Sequence, residues 1–215
     1  DWLLFTTFDE NDRSGKTFAA GLAAVKRDGS RIRELIKRRF ETAFPQGGSQ
    51  PLEPNHYFIG MGAPGTNEIV LAEAHYNTEY TEVTHTTPRI MNVATGAVRS
   101  MFKDRAAPPM KVKSWVIDRL GQPRIAYSRT GADMTVFWAD GKTGEWRKLA
   151  QFASLHASFI PEYVDEKDQL FVSLIDPKTN LAQIHKFDFA KGEPEKNALL
   201  ALPGFDADDV TPIRD

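Results

Sequence analysis

Ile90-Met91-Asn92-Val93-Ala94-Thr95-Gly96, Phe137-Trp138-Ala139-Asp140-Gly141-Lys142-Thr143-Gly144 and Ile184-His185-Lys186-Phe187-Asp188-Phe189-Ala190-Lys191-Gly192 share one design. Each is a run rich in β-branched, aromatic or small apolar residues that closes on a glycine turn. The closing glycines, Gly96, Gly144 and Gly192, stand 48 residues apart. An earlier run of the same form, Ala23-Ala24-Val25-Lys26-Arg27-Asp28-Gly29, ends 67 residues before Gly96. Asp-Gly and Thr-Gly pairs supply the positive φ that tight hairpins require.

A second marker precedes these runs. Trp115-Val116-Ile117-Asp118 and Glu162-Tyr163-Val164-Asp165 end in aspartates 47 residues apart, and each leads through a turn into another β-prone stretch. Those stretches are Pro123-Arg124-Ile125-Ala126-Tyr127 and Gln169-Leu170-Phe171-Val172-Ser173, with Glu68-Ile69-Val70-Leu71-Ala72 and Trp2-Leu3-Leu4-Phe5 at the matching places earlier. About four short strands per period of about 48 residues fall in the range of β-propeller blades, whereas leucine-rich, ankyrin and tetratricopeptide repeats are shorter and need helices or leucine patterns. An all-β sandwich is the rival architecture, and the repeated spacing with its paired aspartates favours the propeller. The expected fold is therefore all-β and propeller-like, a partial propeller of about four four-stranded blades over 1–215. Its approximate blades are 1–40, 55–105, 112–150 and 158–200, with 203–215 opening a further one.

The bulk properties narrow the function classes. Lys and Arg total 27 against 29 Asp and Glu, a net charge of −2, which argues against a chain built to bind nucleic acid. There are no cysteines, so disulfides, thiolate metal sites and cysteine nucleophiles drop out together. A hydrophobic content of 41% with 26% charged residues is that of a folded chain of ordinary composition. No apolar run approaches the roughly 20 residues of a spanning helix, so no membrane partner is expected. The opening Asp1-Trp2-Leu3-Leu4 reads as a trimmed front end, and both a periplasmic and a cytoplasmic location stay open.

One segment breaks the rhythm. In Ser30 to Pro54, the residues Ile32, Leu35, Ile36, Phe40 and Phe44 follow helical spacing, which predicts a short surface helix before the loop Pro45-Gln46-Gly47-Gly48-Ser49-Gln50-Pro51. Lys26, Arg27, Arg31, Arg33, Lys37, Arg38 and Arg39 concentrate around it. They read as a solvated basic face, with contact to an acidic partner or a neighbouring domain as the alternative.

The chemistry-bearing motifs are mostly missing. Gly47-Gly48-Ser49-Gln50-Pro51 has proline where a nucleophile elbow needs glycine. Gly60-Met61-Gly62-Ala63-Pro64-Gly65 lacks the Lys-Ser/Thr pair of a phosphate loop. Glu73 and His75 would share one strand face, near His85, but match no metal-ligand spacing. His56, His156 and His185 are dispersed, and the carboxylates Asp9, Asp12 and Asp118 form no paired glycosidase motif. Trp115, Phe137, Trp138, Trp146, Phe152, Phe159, Tyr163, Phe171, Phe187 and Phe189 read as packing between blades rather than as a stacking platform. No catalytic, cofactor-binding or metal residue is assigned, and no cofactor is expected.

The stretches Trp115 to Tyr127, Gly144-Glu145-Trp146-Arg147-Lys148-Leu149 and Phe159-Ile160-Pro161 resemble the N-terminal propeller of prolyl-oligopeptidase-family serine peptidases, especially the bacterial acylaminoacyl- or dipeptidyl-peptidase-like branch. Pro203-Gly204-Phe205-Asp206-Ala207-Asp208-Asp209-Val210 resembles the opening of a next blade. The resemblance implies a non-catalytic propeller that gates or selects peptide substrates for an α/β-hydrolase domain of the same parent chain. None of that family's triad positions occurs in this sequence, and about four blades fall short of its usual seven or eight. A stand-alone TolB-like or WD-like propeller that binds a protein or peptide partner is the alternative. An open arc would leave Trp2-Leu3-Leu4-Phe5 and Phe187-Asp188-Phe189 partly exposed, which predicts self-association or closure by the tail.

Overall fold

The structure, a computed structural model, describes residues 2–7, 21–38, 50–103, 106–153 and 156–207. The chain divides into two compact units, residues 1–104 and 105–215. In the first unit, β1 (Trp2–Thr7), β2 (Gly21–Lys26) and β3 (Ile32–Ile36) form one sheet, and β4 (His56–Met61), β5 (Glu68–Tyr76), β6 (Val83–Asn92) and β7 (Val98–Ser100) form a second. In the second unit, β8 (Val112–Ile117), β9 (Pro123–Thr130), β10 (Asp133–Ala139) and β11 (Trp146–Ala153) form a third sheet. The fourth holds β12 (Ile160–Val164), β13 (Leu170–Ile175), β14 (Ala182–Asp188) and β15 (Glu193–Pro194). Every sheet is an antiparallel meander in chain order.

The 48-residue spacing is one turn built three times. Asn92 Oδ1 accepts the amides of Ala94 and Thr95, Asp140 Oδ1 those of Lys142 and Thr143, and Asp188 Oδ1 those of Ala190 and Lys191. Gly96, Gly144 and Gly192, at φ of 76°, 71° and 73°, donate back to the carbonyls of Asn92, Asp140 and Asp188. The side chain thus supplies the acceptor and the glycine the left-handed backbone that an Asx turn needs. In the first sheet the hairpin is closed by Asp28 Oδ1 on the Ser30 amide and by Gly29, at φ 74°. Because Lys26 bonds Arg31 as Asn92 bonds Ala97 and Asp140 bonds Glu145, this hairpin matches the third-to-fourth-strand hairpins. β1, β2 and β3 therefore stand where the second, third and fourth strands stand elsewhere.

The paired aspartates build the other recurring turn. Asp118 Oδ1 accepts the amides of Leu120 and Gln122, and Asp165 Oδ1 accepts those of Lys167 and Gln169. The left-handed place is taken by Gly121 in one turn and by Asp168, at φ 64°, in the other.

Two separate seams bury the apolar faces. Leu22, Ala24, Leu35 and Ile36 of the first sheet pack on Ile69, Leu71, Met91 and Val93 of the second. Ile125, Val136 and Trp138 of the third sheet pack on Phe159, Val164, Leu170, Val172 and Phe187 around the fourth. Trp115 and Trp146 meet edge to face, centroids 5.9 Å apart, and Trp115 lies on the face of the third sheet that carries Ala126.

Two expectations are corrected. Ile32–Ile36 is a strand rather than the start of a helix, and Phe40 and Phe44 lie outside the described residues. The helical spacing arose because a bulge between Leu22 and Ala23 shifts the register, so that Leu35 and Ile36 are both buried although adjacent. Phe187 is 2% exposed, because Phe159 and Phe189 flank it at 5.2 Å. Leu3 and Phe5 on β1 are exposed as expected. Near the chain's end, Ala207 and Asp206 hydrogen bond back to Ala182 at the start of β14, and 208–215, part of the expected further blade, lie outside the described residues. Among the described residues no helix is long and apolar enough to cross a membrane.

Candidate functional site

A cleft of about 590 Å³ opens between the first and second sheets, lined by Trp2, Lys26, Arg27, Asp28, Arg31, Asn67 and Ala94. Each wall follows from local structure. Trp2 pairs across the ladder with Lys26, so both point to the same side of the sheet, and the indole leans on the aliphatic seam. The β2–β3 hairpin thrusts Arg27, Asp28 and Arg31 outward, all exposed. From the second sheet, Asn67 precedes β5 and holds the recurring turn through its carbonyl, which accepts the Val93 amide at 2.8 Å. Arg33, buried at 9% exposure, ties the hairpin wall to that turn by donating to the carbonyls of Ala94 at 3.2 Å and Thr95 at 3.3 Å.

The cleft is cationic. Lys26, Arg27 and Arg31 form no ion pair with a described acidic residue, while Lys37, Arg89, Arg99 and Lys191 each have one. The one carboxylate among the described residues of the wall, Asp28, is held below the ordinary aspartate range by its bonds to Ser30 and by the Lys26 charge, so it stays ionised.

The third and fourth sheets meet at the same register in the opposite way. Counting from the residue that closes each hairpin, Asp140, Gly141, Lys142 and Glu145 stand where Lys26, Arg27, Asp28 and Arg31 stand. Here the end is filled. The Asp168 carboxylate lies where a side chain on Gly141 would go, and it pairs with Arg124 at 2.7 Å. Arg124 is 4% exposed, with Nη1 at 3.4 Å from Asp118, Nε donating to the Ala139 carbonyl at 3.1 Å and its guanidinium 4.6 Å from the Trp138 ring centroid. Arg119 and Glu166 add an exposed pair beside it.

The histidines of the second sheet form a different feature. His75 and His85 are cross-strand partners whose rings stack at 4.3 Å with an interplanar angle of 5°. Glu73 shares their face as expected, yet its Oε2 accepts two bonds from Arg89, at 2.8 and 2.7 Å, and lies 3.9 Å from His75 Nε2. The arginine takes the carboxylate that a metal would need, and no group of three ligating side chains among the described residues could hold an ion. Burial would raise the Glu73 carboxyl, but Arg89, His75 and His56 outweigh it and lower it. Burial lowers the His56 ring against the opposing Glu53 carbonyl and Glu73 charge.

The remaining expectations fall in scattered places. Asp118 is a buried turn residue, while Asp9, Asp12 and Ser49 lie outside the described residues. Gly62 to Asn67 form the β4–β5 turn, in which Gly62 donates to the Glu68 carbonyl. His185 is buried against the Glu195 carbonyl at 2.8 Å, and His156 is exposed.

No family model matches this sequence, and no curated protein matches it. Among solved structures, TolB from Acinetobacter baumannii aligns with a TM-score of 0.50 at 8% identity, over 90% of this chain and 40% of that one. The fold is propeller-like. At that identity the likeness speaks for the fold alone, and this chain spans well under half the length of the TolB chain it matches. It agrees with the repeated turns, the four meander sheets and the seams between them.

Sequence reasoning found the basic residues of the cleft but not the cleft. Trp2, Asn67 and Ala94 carry no motif, and only the packing of two sheets brings them beside Arg27 and Arg31. The usable signal was the charge of the first hairpin set against its counterparts, where Lys26 and Arg31 align with Asp140 and Glu145.

Proposed function

We propose that this chain is a non-catalytic, propeller-like module that binds a protein or peptide partner. The observation that carries the reading is the cleft between the first two sheets: concave, within the roughly 300–1,000 Å³ of typical small-ligand sites, and offering a half-buried indole beside cations that form no ion pair with a described acid. A more specific form is that the module gates or selects peptides for an α/β-hydrolase domain of the same parent chain. Its support is the sequence resemblance over Trp115 to Pro161, and the parent reading frame would then encode a nucleophile elbow. Nucleic acid and membrane are not partners in either form, and the exposed Leu3 and Phe5 of β1 offer a surface for self-association.

The test is selection from a random peptide display library on the full chain, followed by anisotropy titrations with the synthetic peptides. Saturable binding at micromolar concentrations is expected. A library that yields no peptide bound better than by an unrelated β-sheet protein of similar pI would overturn the reading. A parent frame without a hydrolase domain would remove the gating form only.

A further inference from the structure

The backbone of the hairpin does not demand its charges. The same five-residue closure is made with Asn92 and Ala97, with Asp140 and Glu145, and with Asp188 and Glu193, all neutral or acidic where the first hairpin has Lys26 and Arg31. Turn chemistry therefore leaves the cations of the first hairpin unexplained. Packing leaves them unexplained as well, since Lys26, Arg27 and Arg31 are exposed and form no ion pair with a described acid. In a chain of net charge −2, three cations against one carboxylate among the described residues of a single concavity form a local reversal of sign. Such a reversal concentrates the field where low-dielectric walls surround it.

We propose that the cleft captures a short acidic peptide segment. Carboxylates of the segment would be gripped by the Arg27 and Arg31 guanidinium forks, whose planar donors match a carboxylate in pairs. Lys26 adds a third cation, and the Trp2 indole gives the intervening backbone and methylenes an apolar floor. Arg33 keeps the two walls together through the Ala94 and Thr95 carbonyls. A peptide suits the site better than a nucleic acid. A duplex or long strand draws its affinity from many phosphate contacts along an extended basic track, which a chain of net charge −2 is not built around, while a few residues occupy the cleft alone. This assignment rests on the partner-binding function proposed above and gives that partner its chemistry.

The experiment uses fluorescein-labelled hexaglutamate and hexaglutamine on the full chain, read by anisotropy at low and at physiological ionic strength. Hexaglutamate is expected to bind and hexaglutamine not, with affinity falling as salt rises. The double substitution Arg27→Glu/Arg31→Glu is expected to weaken hexaglutamate at least about tenfold, the scale expected when facing charges are reversed. Asp28→Asn keeps the turn acceptor and removes the repelling carboxylate of the described wall, so affinity is expected to rise about threefold, a gain that misfolding cannot imitate. Equal binding of the two peptides, an unchanged affinity in either variant, or tighter binding of a six-nucleotide single-stranded DNA would overturn the proposal. If peptides selected from the library bind but ignore Arg27→Glu/Arg31→Glu, the acidic-segment assignment fails and partner binding stands. If neither they nor hexaglutamate bind, both fall.

Discussion

The two units solve the same packing problem with different chemistry. Between the first and second sheets the seam is aliphatic, and its hairpin end is left open and cationic. Between the third and fourth sheets the seam is aromatic, and the matching end is plugged by Asp168 against Gly141 and clasped by Arg124. Position by position, Ala24 corresponds to Trp138, Met91 to Phe187 and Val93 to Phe189. Even the arginine seven residues beyond each hairpin start changes its role. Arg33 donates to the backbone of the next turn, and Arg147 lies 5.2 Å from the Phe189 ring. Structure invested in closing one end is withheld from the other, as expected of an end kept free for a ligand.

The comparison breaks most visibly at the aromatic seam. Trp138→Ala removes a side chain only 3% exposed, together with the ring beside Arg124, and should lower stability by about 4 to 5 kcal/mol. Hydrogen exchange should show the loss in β9, β10, β13 and β14 while the β5 and β6 amides keep their protection. An equal loss in both units would refute their separateness.

Next in size is the clasp. Arg124→Leu strips a buried cation from Asp118, which keeps its amide donors from Leu120 and Gln122, so a loss of about 3 to 4 kcal/mol in urea unfolding is expected. Adding Asp118→Asn should restore part of it, since the stranded charge is then gone.

A smaller effect sharpens the contrast between plugged and open ends. Gly141→Ala drives a methyl group into Asp168 and should cost about 1 to 3 kcal/mol, because Arg124 holds that carboxylate in place. Arg27→Ala, at the matching position, should change stability by no more than about 0.5 kcal/mol. A comparable loss at both positions would show that the cleft is a structural joint rather than a site.

The smallest effect is the response to pH, and its direction differs from group to group. Glu73 is lowered in the fold, so its contribution is complete above the ordinary glutamate value and fades as pH falls through its folded value. His56 is also lowered, so below the ordinary imidazole value near 6.5 the unfolded chain takes up a proton that the fold refuses, and stability again drops with acid. In the second unit, burial and the Glu162 charge raise Tyr127, whose hydroxyl donates to the Pro161 carbonyl at 2.8 Å. Its contribution holds below pH 10 and is lost on going more alkaline. Exchange measured from pH 4 to 11 should therefore loosen β4 and β5 around His56 and Glu73 at the acid end and β9 around Tyr127 at the alkaline end. Tyr127→Phe should shrink the alkaline limb around β9 and leave the part that belongs to Tyr163, which burial also raises.

Much of the fold was legible because turns are local. Asn92 to Gly96 and Asp140 to Gly144 announce themselves by residue type, and a side-chain acceptor followed by a left-handed glycine reads the same in sequence as in space. Ile32–Ile36 misled because a bulge lies in the pairing, where the sequence of one strand carries no mark of it. The cleft was illegible for a related reason. Trp2 and Ala94 are neighbours only through the seam between two sheets, and no spacing rule spans that distance.

Asp168 carries a warning for anyone who would stabilise this chain by averaging its repeats. The matching turn has Gly121, and a consensus drawn across the two would write glycine at 168 to relieve a left-handed backbone at φ 64°. That exchange would recover about 1 kcal/mol of local strain, a modest sum because aspartate tolerates the region better than most residues. It would also erase the only described carboxylate within 3 Å of the buried Arg124, leaving Asp118 at 3.4 Å as its sole described counterion. In a repeat protein, the position that deviates from its siblings is the one least safely corrected.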